Sequence, residues 1–154
     1  MPRDFEYLTV QDHLWINFQV TKTKNRWNFA KLEQAVYLQY SYGKSKDLIT
    51  QAVRYGAGFG KSSAFSGGNE ATGFVGLLCF LAVNGYHWKL TDKDALSFYD
   101  SIRNQSEQAG DLIRKYSTYH DEDHAMSLAD AAKWVMDTFP NTLKSLIGES
   151  LVSL

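Results

Sequence analysis

Proline and cysteine are almost missing from this chain, which has two prolines, Pro2 and Pro140, and one cysteine, Cys79, in 154 residues. A single cysteine closes no internal disulfide, which excludes a disulfide-stapled scaffold and suits a reducing compartment. Cys79 lies inside the apolar run FVGLLCFLAV, where a thiol behaves as a small buried hydrophobe. Charge of one sign is missing too: 16 Lys and Arg stand against 17 Asp and Glu, a formal net charge of -1. There is no global basic field to hold a phosphate backbone, so nucleic acid is not the expected partner. Long apolar runs are also absent. The longest uncharged apolar run, Ala71 to Val83, falls short of the roughly 18 residues of a spanning helix, so no membrane association is expected. The opening MPRDFEYLTV has no basic segment leading into an apolar one, unlike a secretory signal, and a cytoplasmic location is the expectation.

What is present suffices for a core. Hydrophobic residues make up 44% and aromatics 14% of the chain, enough apolar surface to offset the chain entropy lost on folding, and the length fits one domain over residues 1–154. No strand-length stretch alternates strictly between apolar and polar residues, whereas several repeat at helical spacing, so the fold class read from the sequence is all-α.

The helices can be placed from their caps. Thr9 and Asp12 form a capping-box pair opening a first helix with Val10, Leu14, Ile16 and Phe18 on its apolar side, and TKTKNR then reads as an exposed basic turn. A second helix is expected from Asn28 to Tyr40, with Phe29, Leu32, Ala35, Val36 and Leu38 inward, and a third from Leu48 to Lys61 behind Asp47. Gly56, Gly58 and Gly60 alternate near the end of that third helix, each costing about 1 kcal/mol against Ala, which predicts a neighbouring element packed very close. Residues Glu70 to Val83 are apolar nearly all round and stop at Asn84-Gly85, the pattern of a central buried helix. Thr91 with Asp94 opens a helix through ALSFYDSIRNQSEQ, Ser127 with Asp130 opens another, and a short one over Thr142 to Leu146 closes the chain.

Three motifs invite chemistry. The triplets Gly43-Lys44-Ser45 and Gly60-Lys61-Ser62 resemble the end of a P-loop, but the glycine required five residues earlier is Leu38 in one and Tyr55 in the other, and no strand precedes either. Both read better as helix C-termini with Gly as terminator and Lys facing the dipole. His120 and His124 bracket three carboxylates in HDEDH, and on a helix this spacing would put both imidazoles on one face as metal ligands. The zinc-protease pattern wants Glu directly after the first His, where Asp121 stands, so a solvated acidic loop is the preferred reading. The segment Phe65-Ser66-Gly67-Gly68-Asn69 offers small residues opening onto a helix N-terminus, where unpaired N–H groups and the helix dipole can hold an anion. An ordinary turn with Asn69 as N-cap explains the same residues.

Taken together, YLTVQDHLWIN, AKLEQAV with its Leu-Glu-x-Ala pattern, and LITQAVRYGAGFGKSSAFSGGNEATGFVGLLCFLAVNGYHW make the chain resemble the Fic/Doc family, in particular its death-on-curing branch, over Tyr7 to Trp88. The family signature H-x-F-x-D/E-G-N-G/K-R falls on Ser63 to Ala71, and Phe65, Gly68 and Asn69 match it. The resemblance implies a Fic/Doc-like helical bundle around one buried helix. In the family the motif His is general base, the acidic residue helps hold magnesium, and the Arg holds nucleotide phosphates. Here these positions are Ser63, Gly67 and Ala71. A Ser hydroxyl has no pKa near neutrality for base work, Gly67 has no carboxylate for a hard cation, and Ala71 has no guanidinium. Glu70 adds a negative charge where polyphosphate would lie, and Lys61 is the one cation expected near the loop.

Among the histidines, His87 lies about 27 Å beyond Asn69 along a continuous helix and cannot supply the missing base, while His13, His120 and His124 stay open. The expectation is an inactive, toxin-like relative that binds another protein, an antitoxin-like or target partner. The alternative is a divergent transferase moving AMP or phosphate from ATP, with Mg, to a protein hydroxyl, the helix N-terminus alone holding the phosphates.

Overall fold

The computed structural model describes residues 5–41 and 46–152, so Gly43-Lys44-Ser45 lies outside the described residues. It is mostly helical, with eight α-helices and one two-stranded sheet among the described residues.

Helix α1 runs Val10–Thr21, and the capping box forms in full: the Thr9 hydroxyl accepts from the Asp12 amide and the Asp12 carboxylate accepts from the Thr9 amide. Its inward face differs from the expectation. His13, Ile16 and Asn17 are buried while Leu14 is half-buried and Phe18 is 42% exposed. Two polar residues hold the positions that an apolar stripe would fill, which is why hydrophobicity alone misplaces this face. Helix α2 covers Phe29–Tyr37 behind Asn28, whose side chain accepts from the Lys31 amide. Leu32, Ala35 and Val36 are buried as expected, but Phe29, at the first helical position, is 59% exposed.

Helix α3, Leu48–Phe59, starts at the Asp47 cap and tightens into a 3₁₀ turn over Gly60–Ser62. The alternating glycines are close-approach positions. A Cβ at Gly56 would lie 2.9 Å from Ile102 and 3.1 Å from Leu77, one at Gly58 would strike Leu38, and one at Gly60 would strike the Glu70 carboxylate. The glycines therefore let three other elements pack directly on the α3 backbone.

Helix α4, Asn69–Ala82, is the axis of the molecule: every residue from Ala71 to Ala82 is buried, with α1, α3 and two later helices, α7 (Leu128–Thr138) and α8 (Pro140–Val152), packed around it. Asn84 ends it by turning its amide back, donating to the Phe80 and Glu6 carbonyls and accepting from the Glu6 amide. Gly85 follows with φ 97°, and a Cβ there would come within 2.6 Å of the Asp121 carbonyl oxygen. That turn feeds strand β1, Tyr86–Trp88, which pairs antiparallel with β2, Ser117–Tyr119, in the register Tyr86 to Tyr119, His87 to Thr118 and Trp88 to Ser117. The sequence reading contains no strands, and these two are too short to show an alternation.

Helix α5 spans Asp92–Arg103. The expected capping box at Thr91 is absent: its hydroxyl meets the Asp94 carboxylate at 3.3 Å and caps no amide. The Asp92 carboxylate instead receives the amides of Asn141 and Thr142 and the Thr142 hydroxyl, anchoring the start of α8 from outside it. The single helix expected through Gln108 breaks after Arg103, Gln105 takes φ 49°, and a separate α6 covers Ala109–Tyr116. Helix α7, Leu128–Thr138, opens at Ser127, whose hydroxyl accepts from the Asp130 amide as expected. Helix α8, Pro140–Val152, is longer than the short element anticipated and begins on the proline, whose missing N–H is no loss at that position.

Gly76 gives a direct test of this packing, because a Cβ there would strike the Tyr55 hydroxyl. Helix propensity alone favours Ala over Gly by about 1 kcal/mol, whereas overpacking costs about 1–3 kcal/mol. We expect Gly76→Ala to destabilise the protein by up to about 2 kcal/mol in urea denaturation, packing outweighing propensity.

Candidate functional site

The loop that carries the expected site runs from the 3₁₀ turn to the start of α4 and is built under a strap formed by residues 22–28. Lys22 ends α1 in the left-handed conformation, φ 57°, and turns the chain back. The strap then lies antiparallel to the loop: Trp27 bridges Phe65, the Asn28 amide donates to the Ala64 carbonyl at 2.8 Å, and the Ser66 amide donates to the Arg26 carbonyl at 2.8 Å. The basic turn is exposed as expected at Lys22, Lys24 and Arg26, and it also covers the loop, with Trp27 53% exposed.

Beneath the strap, polar side chains fill the loop. Asn17 donates to the Gly67 carbonyl and to the Thr72 hydroxyl, both at 3.0 Å. Asn25 donates to the Asn17 side-chain oxygen at 3.0 Å and to the Thr21 hydroxyl at 3.2 Å, and its own oxygen receives the Ser66 hydroxyl. Gly67 and Gly68 are needed because this network leaves no room: a Cβ at Gly67 would meet the Asn25 oxygen at 3.2 Å, and one at Gly68 would strike Thr21. Gly68 also takes φ 75°, which disfavours any side chain.

Gly68, not Asn69, is the N-cap residue of α4, and no side chain caps the helix. Asn69 is instead the first helical residue, and its side chain closes a two-bond ring on Phe65, accepting from the amide at 2.9 Å and donating to the carbonyl at 2.8 Å. Phe65 is buried, so this pair fixes the loop from the inside. Ser63 sits exposed in the left-handed region, φ 54°, and no hydrogen bond to its hydroxyl occurs among the described residues.

The charge reading changes as well. The Glu70 carboxylate folds over Gly60 and pairs with Arg103 at 3.2 Å, so it does not stand unopposed over the loop. Arg103 also pairs with Asp100 and lies 5.1 Å from the Tyr99 ring centre, while the Lys61 ammonium donates to the Arg103 carbonyl at 2.9 Å. Lys61 is therefore accompanied by a second cation, from α5, which the sequence did not reveal because α5 lies far along the chain.

None of the histidines serves Ser63. His13 is fully buried: its Nδ1–H donates to the Thr9 carbonyl at 2.6 Å, its Nε2 accepts from the Tyr55 hydroxyl at 2.5 Å, and it stacks on Phe59. Burial holds it at about 4 against an ordinary 6.5. His87, His120 and His124 gather at the other end of α4, about 20 Å away for a 14-residue helix. HDEDH is not an α-helix there: His120 follows β2, and Glu122–His124 form a 3₁₀ turn. The Asp121 carboxylate binds the His124 Nδ1 at 2.6 Å, which raises the pKa of the imidazole and lowers that of the carboxyl. Among the described residues, no set of three or more His, Cys, Asp or Glu side chains is arranged as a ready metal cage.

Gly67 and Ala71 bring no carboxylate or guanidinium, the Gly67 carbonyl is taken by Asn17, and the Asn69 side chain is spent on Phe65. ATP and magnesium do not fit these residues. No protein-family model, curated protein or solved structure matches the chain.

His13 makes acid stability testable. The unfolded imidazole takes a proton near 6.5 and the folded one only near 4, so between these values the unfolded state binds more protons and stability falls as the pH drops. The contribution is complete above about pH 6.5 and gone by about pH 4, a difference of about 3 kcal/mol. We expect the stability of the wild type to exceed that of His13→Gln by less at pH 4 than at pH 7, measured by urea denaturation at both.

Proposed function

We propose that this chain is a Fic/Doc-type module that binds another protein and does not transfer nucleotide. What carries the reading is the closure of the loop by its own side chains. Asn25 bonds Asn17, Asn17 holds the Gly67 carbonyl and Asn69 holds the backbone of Phe65, so the side-chain polar groups that an active loop would turn toward a substrate are engaged within the protein. By the resemblance, Ser63 falls at the position of the family's base, and among the described residues no imidazole is hydrogen-bonded to it.

Exposed side chains of α1, the strap and α2 support the partner half of the reading. Trp15, Phe18, Trp27 and Phe29 are all at least 39% exposed. Between His13 and Leu32 the chain carries Lys22, Lys24, Arg26 and Lys31 and no carboxylate. Exposed aromatics beside cations are the composition of protein-recognition surfaces, where aromatic and Arg side chains supply most of the binding energy. The partner is a protein of the antitoxin or target kind, which the resemblance implies.

The divergent transferase keeps one observation in its favour, the absence of a side-chain cap on α4, which leaves the helix dipole open to an anion. Calorimetric titration with ATP, with and without magnesium, separates the two. We expect no saturable heat up to millimolar ATP. Saturable binding that Asn69→Ala abolishes would overturn the module reading in favour of transfer chemistry.

A further inference from the structure

We propose that the groove between the end of α1 and the first turns of α8 is a binding site for one single-chain anionic amphiphile, a fatty-acid anion. The proposal does not rest on the Fic/Doc reading, and Lys22 is the one residue it shares with the partner surface named above. The groove lies where three helix ends meet: α1 stops at Thr21, α7 stops at Thr138 and α8 starts at Pro140. Leu143 and Ile147, one turn apart on α8, line it together with Val20 of α1 and Met136 of α7. Val20, Met136 and Ile147 are only partly buried, so the fold leaves apolar surface uncovered here.

Size and lining select the body of the ligand. The groove holds about 600 Å³, within the roughly 300–1,000 Å³ of small-molecule sites. Aromatic residues make up 14% of the chain, yet none lines the groove, so a flat ligand finds no ring face to stack on. Protein interfaces are enriched in aromatics and Arg and depleted in Lys. This lining is the reverse, with two Lys and no Arg, which favours an alkyl chain over a partner helix. Met136 and Leu143 are flexible aliphatic side chains that can mould to such a chain. Gly148 adds room, since a Cβ there would meet no atom within 4 Å.

Charge selects the head. Lys22 and Lys144 both line the groove and are exposed, and no Asp or Glu lines it. Neither ammonium is in an ion pair or a hydrogen bond among the described residues. The chain as a whole carries a net charge of -1, so this local cationic excess is not inherited from composition. A Lys lays its methylene stem along apolar surface and keeps its ammonium in water. The two stems thus extend the aliphatic lining, and their ammoniums stand at the rim to meet the carboxylate of a seated chain. A cationic head is repelled by the same pair.

The test is calorimetric titration of the lipid-stripped full chain with dodecanoate below its aggregation concentration. We expect saturation at one molecule per chain, and binding about tenfold weaker for decanoate, which is two methylenes shorter. Changing both lysines, Lys22→Gln with Lys144→Gln, is expected to weaken dodecanoate about fivefold. Gly148→Leu places a side chain in the open space, and we expect it to weaken uptake about tenfold while the urea midpoint falls no lower than that of the wild type. Absence of saturable uptake would overturn the proposal. So would equal binding of dodecyltrimethylammonium, which means adsorption of any alkyl chain, or uptake that Gly148→Leu leaves unchanged, which places the ligand elsewhere. A dimer in sedimentation that Gly148→Leu dissociates would assign the groove to a second copy of the chain instead.

Discussion

Everything in this structure depends on burying α4 from all sides. Twelve consecutive residues, Ala71 to Ala82, are out of contact with water, so the helix has no polar face and can exist only inside a sleeve of other elements. Its neighbours must come close, and small residues allow this: Gly56 admits Leu77 and Ile102 to α3, and Gly76 admits the Tyr55 hydroxyl to α4. Tyr55 in turn engages His13, which places a polar pair from α1 and α3 in the core with both partners satisfied.

A helix buried along its whole length can meet water, ligand or partner only at its ends, and both polar clusters described above lie there. At the N-terminal end the strap, the Asn17–Asn25 pair and the Asn69–Phe65 ring hold the loop, and Glu70 and Arg103 neutralise one another beside it. At the C-terminal end Asn84 and Gly85 redirect the chain into the two-stranded sheet, beside which the histidines gather. The two clusters share no residue and sit a helix length apart.

The polar network shows how a loop of glycines becomes rigid. Gly67 and Gly68 are individually permissive, but the side chains packed against them, Asn25 and Thr21, leave no alternative position. Asn17 and Asn69 tie the loop backbone at Gly67 and Phe65, and Asn25 ties Asn17 to the strap. Interlocking hydrogen bonds of this kind help to specify one conformation.

The sequence by itself determined the helical class, the caps at Thr9, Asp47 and Ser127, the central helix, and the close approach at the glycines of α3. These follow from local hydrogen bonding, backbone freedom and apolar periodicity, which are properties of neighbouring residues. Only the tertiary structure decided which face of α1 turns inward, that Asp92 would anchor α8 while Thr91 capped nothing, that Glu70 would find Arg103, that residues 22–28 would cover the loop, and that His87 would meet His120 and His124. Each of those joins residues far apart in the chain, and hydrogen bonds and ion pairs at such separations leave no periodic trace. The physical reason is that a cap or an apolar stripe is settled within one or two turns of helix, whereas the partner of a buried polar group is settled only when the whole chain has packed.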